Sequence, residues 1–145
     1  MPLTPRLAAD IVAALRDGKT LRVRAGTTHR FIGIWVVVVQ GRVFVRSWSV
    51  KPRGWYRTLL EDPRAFIKLG HRTIAVRAVR TRSHALRDAV DQAYLDKYAT
   101  PGALKYAKDL GSPKSRATTL ELRPPARTQA DGRTRSVSRP SPARK

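Results

Sequence analysis

Residues 34–63 read IWVVVVQGRVFVRSWSVKPRGWYRTLLEDP, and the order of residue types in this stretch decides the fold. Two β-branched and aromatic runs, 34–39 and 42–47, flank Gln40-Gly41, a two-residue loop of the hairpin kind. With a loop of two, Val39 stands opposite Arg42, Val37 opposite Phe44 and Trp35 opposite Arg46, and opposite residues share a sheet face. One face then holds Ile34, Val36, Val38, Val43, Val45 and Ser47, small and apolar, as the inside of a barrel requires. The other holds Trp35, Val37, Val39, Arg42, Phe44, Arg46 and Trp48. That mixture of aromatics and arginines predicts a ligand or partner surface rather than a dry core.

Working outward, Thr4-Pro5 predicts a helix start, Leu7, Ile11 and Leu15 recur at helical spacing, and Gly18 supplies the stop. Residues 21–24 alternate as a short strand, and 25–29 read as a turn. Downstream, a helix is expected over 55–61, followed by Asp62-Pro63 and a second hairpin over 64–80 that turns near Gly70-His71. Ser83 suits the N-cap of a helix whose stripe is Leu86, Val90, Ala93 and Tyr94. Thr100-Pro101 opens another helix that ends before Gly111, and 118–123 form a last strand. Strands and helices in this order predict an α+β fold, a small antiparallel barrel with flanking helices.

The chain of 145 residues is the size of one domain, with a formal charge of +20. From Pro124 onward it becomes rich in Pro, Ser and Arg, with almost nothing to bury, so 1–123 is expected to fold and 124–145 to form a disordered basic tail. That tail holds six of the 30 basic residues and one of the ten acidic ones, which leaves the folded part at +15. Such a surface attracts anions of every kind, including nucleic acid through nonspecific electrostatics, unless the arginines are merely solvated. Without cysteine there is no disulfide, thiol nucleophile or Cys-bound metal. The longest apolar run, 34–39, is far too short to cross a bilayer, and no signal-peptide pattern opens the chain. A cytoplasmic protein with no membrane partner is the default expectation.

Chemistry concentrates between the hairpin and the helix. Residues 46–53 contain Arg46, Lys51 and Arg53 with Ser47 and Ser49, charge-assisted donors of the kind a phosphate needs. The helix starting near Trp55 would add backbone N–H groups. Trp35, Trp48 and Trp55 surround this segment and suit a stacked ring, a core or a subunit interface. His29, His71 and His84 are scattered and no acidic cluster accompanies them, so no metal site is expected. No nucleophile elbow, Walker loop or dinucleotide fingerprint is present. Catalysis, if any, falls to a bound cofactor, and Tyr56 is the least poor proton donor.

The segments 35–39, 41–47, Trp55-Tyr56-Arg57 and Asp62-Pro63, with 93–98 and 117–122 in the C-terminal half, resemble the flavin-binding split barrels. They are most similar to a bacterial family known as domain of unknown function 2255. The resemblance covers roughly residues 5–124 and implies a split β-barrel homodimer holding FMN or a deazaflavin at the subunit interface. It implies further that Arg46, Ser47, Lys51 and Arg53 hold the cofactor phosphate and that Trp55-Tyr56 matches the Trp-Tyr element that follows; on that reading Trp35, Trp48 or Trp55 flanks the ring. The expected activity is that of an oxidoreductase on an unknown small molecule. The alternatives are a split-barrel dimer serving only as an interaction module, and a basic nucleic-acid-binding protein.

Overall fold

The computed structural model describes residues 5–27, 29–48 and 54–125. In chain order the elements are α1 (Ala9–Asp17), β1 (Leu21–Ala25), β2 (Ile32–Ile34), β3 (Val36–Val39), β4 (Arg42–Val45), α2 (Trp55–Glu61), β5 (Arg64–Leu69), β6 (Arg72–Arg80), α3 (His84–Lys97), α4 (Pro101–Asp109), α5 (Pro113–Arg116) and β7 (Leu120–Arg123). The α+β expectation holds. Gln40 and Gly41 have φ of 56° and 72°, the two positive values that a type I′ turn demands. The pairing is accordingly Val36 with Val45, Val37 with Phe44, Val38 with Val43 and Val39 with Arg42, the register that a two-residue loop dictates.

The strands form one antiparallel sheet in the order β2-β1-β5-β6-β7-β4-β3. Its two edges, β2 and β3, are consecutive in the chain and separated by Trp35 alone. The stretch read as one strand from residue 34 is therefore two, and it changes partners at Trp35: β2 pairs with β1, and β3 with β4. The sheet closes on itself through that residue and becomes a barrel.

A strand that switches partners strands its own backbone groups, which must be satisfied some other way. Side chains of α3 and of Tyr98, its C-terminal cap, do so. The Tyr98 hydroxyl accepts from the Val36 N–H at 3.1 Å and lies 2.5 Å from the Lys19 carbonyl. Lys97 Nζ donates to the carbonyls of Val36 at 2.8 Å and Leu15 at 3.0 Å, and the Tyr94 hydroxyl reaches the Trp35 carbonyl. Burial outweighs the nearby Asp17 charge and lowers the Lys97 pKa, while burial raises that of Tyr94.

The barrel interior is packed by Leu21, Val23, Val36, Val43, Val45, Ile67, Val76, Leu120 and Leu122, with Ile11 and Leu15 of α1 and Leu59 of α2 joining them. A second core lies outside the wall. Val37 and Phe44 point away from the interior and are covered by Val90 and Tyr94 of α3, by Tyr98 at its C-terminal cap and by Ala107 of α4. This corrects the expectation for the arginine and aromatic face of the first hairpin: a helix pair lies on it, Phe44 is fully buried, and this part is dry core. Ser83 caps α3 as expected, its Oγ accepting from the Leu86 N–H at 3.2 Å. Helix α1 begins at Ala9, later than the Thr4-Pro5 signal implied; Thr4 lies outside the described residues, as does the tail from residue 126. Among the described residues, no helix is long and apolar enough to cross a membrane.

Candidate functional site

Arg46 follows directly on β4, and its side chain is 0 % exposed. Nε donates to Thr119 Oγ1 at 2.8 Å, Nη1 to Asp91 Oδ1 at 2.5 Å and to the Leu110 carbonyl at 2.7 Å, and Nη2 to the Arg87 carbonyl at 3.0 Å. Burial lowers its pKa, and the hydrogen bond and charge of Asp91 work against that shift. Asp91 also accepts from Arg116, which pairs with Asp88 at 2.8 Å. The guanidinium predicted to reach outward for phosphate therefore joins β4 to α3, the end of α4 and the segment before β7. Ser47 is buried beside it; its N–H donates to Thr118 Oγ1 at 2.8 Å, and Thr118 donates back to the Ser47 carbonyl. Lys51 and Arg53 lie outside the described residues.

The tryptophans separate into two places. Trp35, at the partner switch, stacks on Tyr98 with ring centres 3.9 Å apart and planes 1° from parallel. Trp48 meets Trp35 edge-on at 5.6 Å and Tyr106 of α4 edge-on at 6.4 Å. Trp35, Trp48, Tyr106 and Asp109 line an open cleft of about 440 Å³. Trp48 and Tyr106 are 43 % and 45 % exposed, unusual for rings of this size in a small domain. Trp55 instead packs against the barrel core, edge-on to Tyr56 at 6.4 Å. Tyr56 is buried, its hydroxyl 3.4 Å from the Ala117 carbonyl. Helix α2, beginning at Trp55, has only seven residues and no side-chain cap.

Tyr106 and Asp109 escaped the sequence reading. Their signal was present, since Tyr106 lies off the Leu104, Ala107 and Leu110 stripe of its helix and so points away from its core. A second cleft of about 340 Å³ lies across the barrel, between Gly26, Thr58, Asp62 and Phe66, with His29 Nε2 3.0 Å from Thr58 Oγ1. Its described lining includes no exposed ring pair, so it suits a planar ligand less well.

A nearly closed antiparallel barrel with flanking helices and an aromatic cleft at the strand switch defines an α+β split barrel. Residues 13–122 match the sequence profile of a bacterial family described as "Uncharacterized protein conserved in bacteria (DUF2255)", and the chain belongs to that family. No curated protein matches it. Among solved structures, the heme storage protein HutZ of Vibrio cholerae is similar, with a TM-score of 0.58 at 16% identity over 83% of this chain and 92% of that one. A conserved hypothetical protein of Mycobacterium tuberculosis, Rv2991, is similar with a TM-score of 0.55 at 14% identity over 91% and 88%. At these identities the likeness is one of fold.

Proposed function

We propose that this chain is a homodimeric cofactor-binding protein that holds a flavin or deazaflavin ring in the Trp35–Trp48–Tyr106 cleft and acts as an oxidoreductase on a small molecule. The observation that carries this reading is the exposed aromatic pair at the mouth of the cleft, Trp48 and Tyr106, backed by the Trp35–Tyr98 stack. The cleft volume of about 440 Å³ falls in the range of small-molecule sites. Its open side leaves room for a second subunit to complete the enclosure. A bound flavin or deazaflavin would supply hydride or electron transfer.

The chain's own residues would bind and orient the ring and exclude water from one of its faces. Lys51 and Arg53 follow Trp48 by three and five residues, within roughly 10–17 Å of chain reach, close enough to meet the phosphate of a ring seated beside Trp48. Arg46 and Ser47 fix the end of β4 from which that segment leaves, and Trp55 and Tyr56 fix the helix at which it arrives. All four are then positioning residues. Haem is the rival ligand, because HutZ is described as a heme storage protein. A haem site needs an axial donor, and the described residues that line this cleft include Tyr106 but no histidine, cysteine or methionine, the commoner donors. The flavin reading is therefore preferred.

Titration of FMN, a deazaflavin and haemin, followed by tryptophan fluorescence and visible absorbance, tests the proposal. Saturable binding of one flavin-type ligand is expected, weakened about tenfold or more in Trp48→Ala, as loss of a stacking partner and its desolvated contacts implies. Light scattering should report a dimer. Haemin binding alone would replace the ligand, and a dimer that binds none of the three would leave an interaction module.

A further inference from the structure

The side of the barrel away from α3 and α4 bears a pattern of charge that the cofactor reading does not use. Among the described residues the helices pack chiefly on β1, β3 and β4, and the outer face of β5, β6 and β7 carries no major helix contact. The register sets Arg64 of β5 opposite Arg77 of β6, and Arg77 opposite Arg123 of β7. Arg42 of β4 continues the row, because it shares Glu121 with Arg123: Arg42 Nη2 and Arg123 Nε reach the same carboxylate oxygen at 2.8 and 2.9 Å. Four arginines therefore lie side by side across four strands. Like charges directly opposite one another destabilise a sheet, so a row of this kind calls for a reason.

Carboxylates answer three of the four. Arg64 pairs with Asp62 at 2.7 Å, and Arg42 and Arg123 with Glu121. Arg77, in the middle of the row, forms no ion pair among the described residues, and its buried Nε has no hydrogen-bond partner. A second group of cations stands further along the same face. Arg22 is opposite Lys68, Arg24 lies over the rings of Phe31 at 4.7 Å and Phe66 at 5.0 Å, and Lys68 lies over Phe31 at 5.2 Å. Lys68 is four residues from Arg64 on one strand, so the two groups stand ~13 Å apart.

We propose that this wall docks the phosphate backbone of a nucleic acid, with Arg77 and Lys68 each facing a different phosphate. A single phosphate cannot span ~13 Å, whereas a backbone that repeats its charge along its length meets both groups at once. A second copy of the chain fits poorly, because a two-fold contact would press each cationic group against cations of the other copy. Contacts of this type position the ligand without reading its bases.

The test uses the full chain and a fluorescent DNA duplex of about 20 base pairs, with anisotropy read between about 50 and 200 mM salt. The paired variant Arg77→Ala/Lys68→Ala should bind about tenfold more weakly and lose about two from the slope of log affinity against log salt. Lys105→Ala/Lys108→Ala on α4 should change affinity less than about twofold. Arg77→Lys retains the charge and should recover most of the loss in the Arg77 single variant. Arg77→Ala should melt no lower than the parent, since it removes an unpaired cation from a like-charged row. Equal losses from both double variants would overturn the proposal in favour of whole-surface attraction. So would displacement of the duplex by millimolar inorganic phosphate, stronger binding to phosphatidylserine vesicles than to DNA, or a change of oligomeric mass in the wall variant.

Discussion

Arg46→Ala will lower folding stability by about 3–5 kcal/mol, the cost of breaking a buried charge pair, and drop the melting temperature by on the order of 10–20 °C for a domain of this size. The reason lies in the four hydrogen bonds of one fully enclosed guanidinium. Alanine removes the donors, leaves the Leu110 and Arg87 carbonyls without this partner, and leaves Asp91 with Arg116 as its remaining cation. Arg46→Lys should recover little, because an ammonium cannot serve acceptors on three sides in a plane. The double variant Arg46→Ala/Asp91→Ala should cost less than the sum of the two single changes, as expected for groups in direct contact. Urea melts of the four proteins check this. A stable Arg46→Ala protein that fails only in ligand binding would return Arg46 to the phosphate role expected from the sequence.

The second large effect belongs to Glu121, whose side chain is 2% exposed and serves both Arg42 and Arg123. Burial pushes its pKa up, but the hydrogen bonds and charges of the two arginines outweigh this and hold the carboxyl below its ordinary value. A depressed folded pKa stabilises the protein above the unfolded value, near 4.3. That contribution is lost as pH falls through the folded value. Glu121→Gln should cost about 3 kcal/mol at neutral pH, because it leaves two partly buried arginines beside Arg77 with no counter-charge. The variant should also lose the part of the acid-induced decline that Glu121 carries. Urea midpoints at neutral and acid pH, compared between parent and variant, measure both effects.

Much of this fold was legible because its first hairpin is local. Gln40-Gly41 fixed a two-residue turn, the turn fixed the register, and alternation then assigned Val36, Val38, Val43 and Val45 to the interior. What stayed hidden depended on distant partners. Nothing near Arg46 announces that Asp91, 45 residues away, will meet it, and an arginine beside a serine before a basic loop reads naturally as a phosphate ligand. The outward face of the same hairpin read as a ligand surface because the Val90 and Tyr94 stripe does not reveal which wall it will cover. The break at Trp35 was invisible for a similar reason, since β2 leaves the hairpin to pair with β1. Helix α5, at four residues, is too short to show a period. Trp35 stands out in the sequence as an aromatic of interest, but its neighbours Trp48, Tyr98 and Tyr106 come together only through closure of the barrel and docking of α3 and α4.

The chain contains three tryptophans, so its indole N–H groups give three signals in a ¹H–¹⁵N spectrum, assignable by replacing each with phenylalanine. Recording them during addition of FMN, and then of a deazaflavin, tests the cofactor site most directly. The account predicts that one of these ligands shifts Trp35 and Trp48 together along a saturating curve while Trp55, packed on the barrel core, stays in place. Shifts confined to Trp55, or three unmoved signals with both ligands, would contradict it.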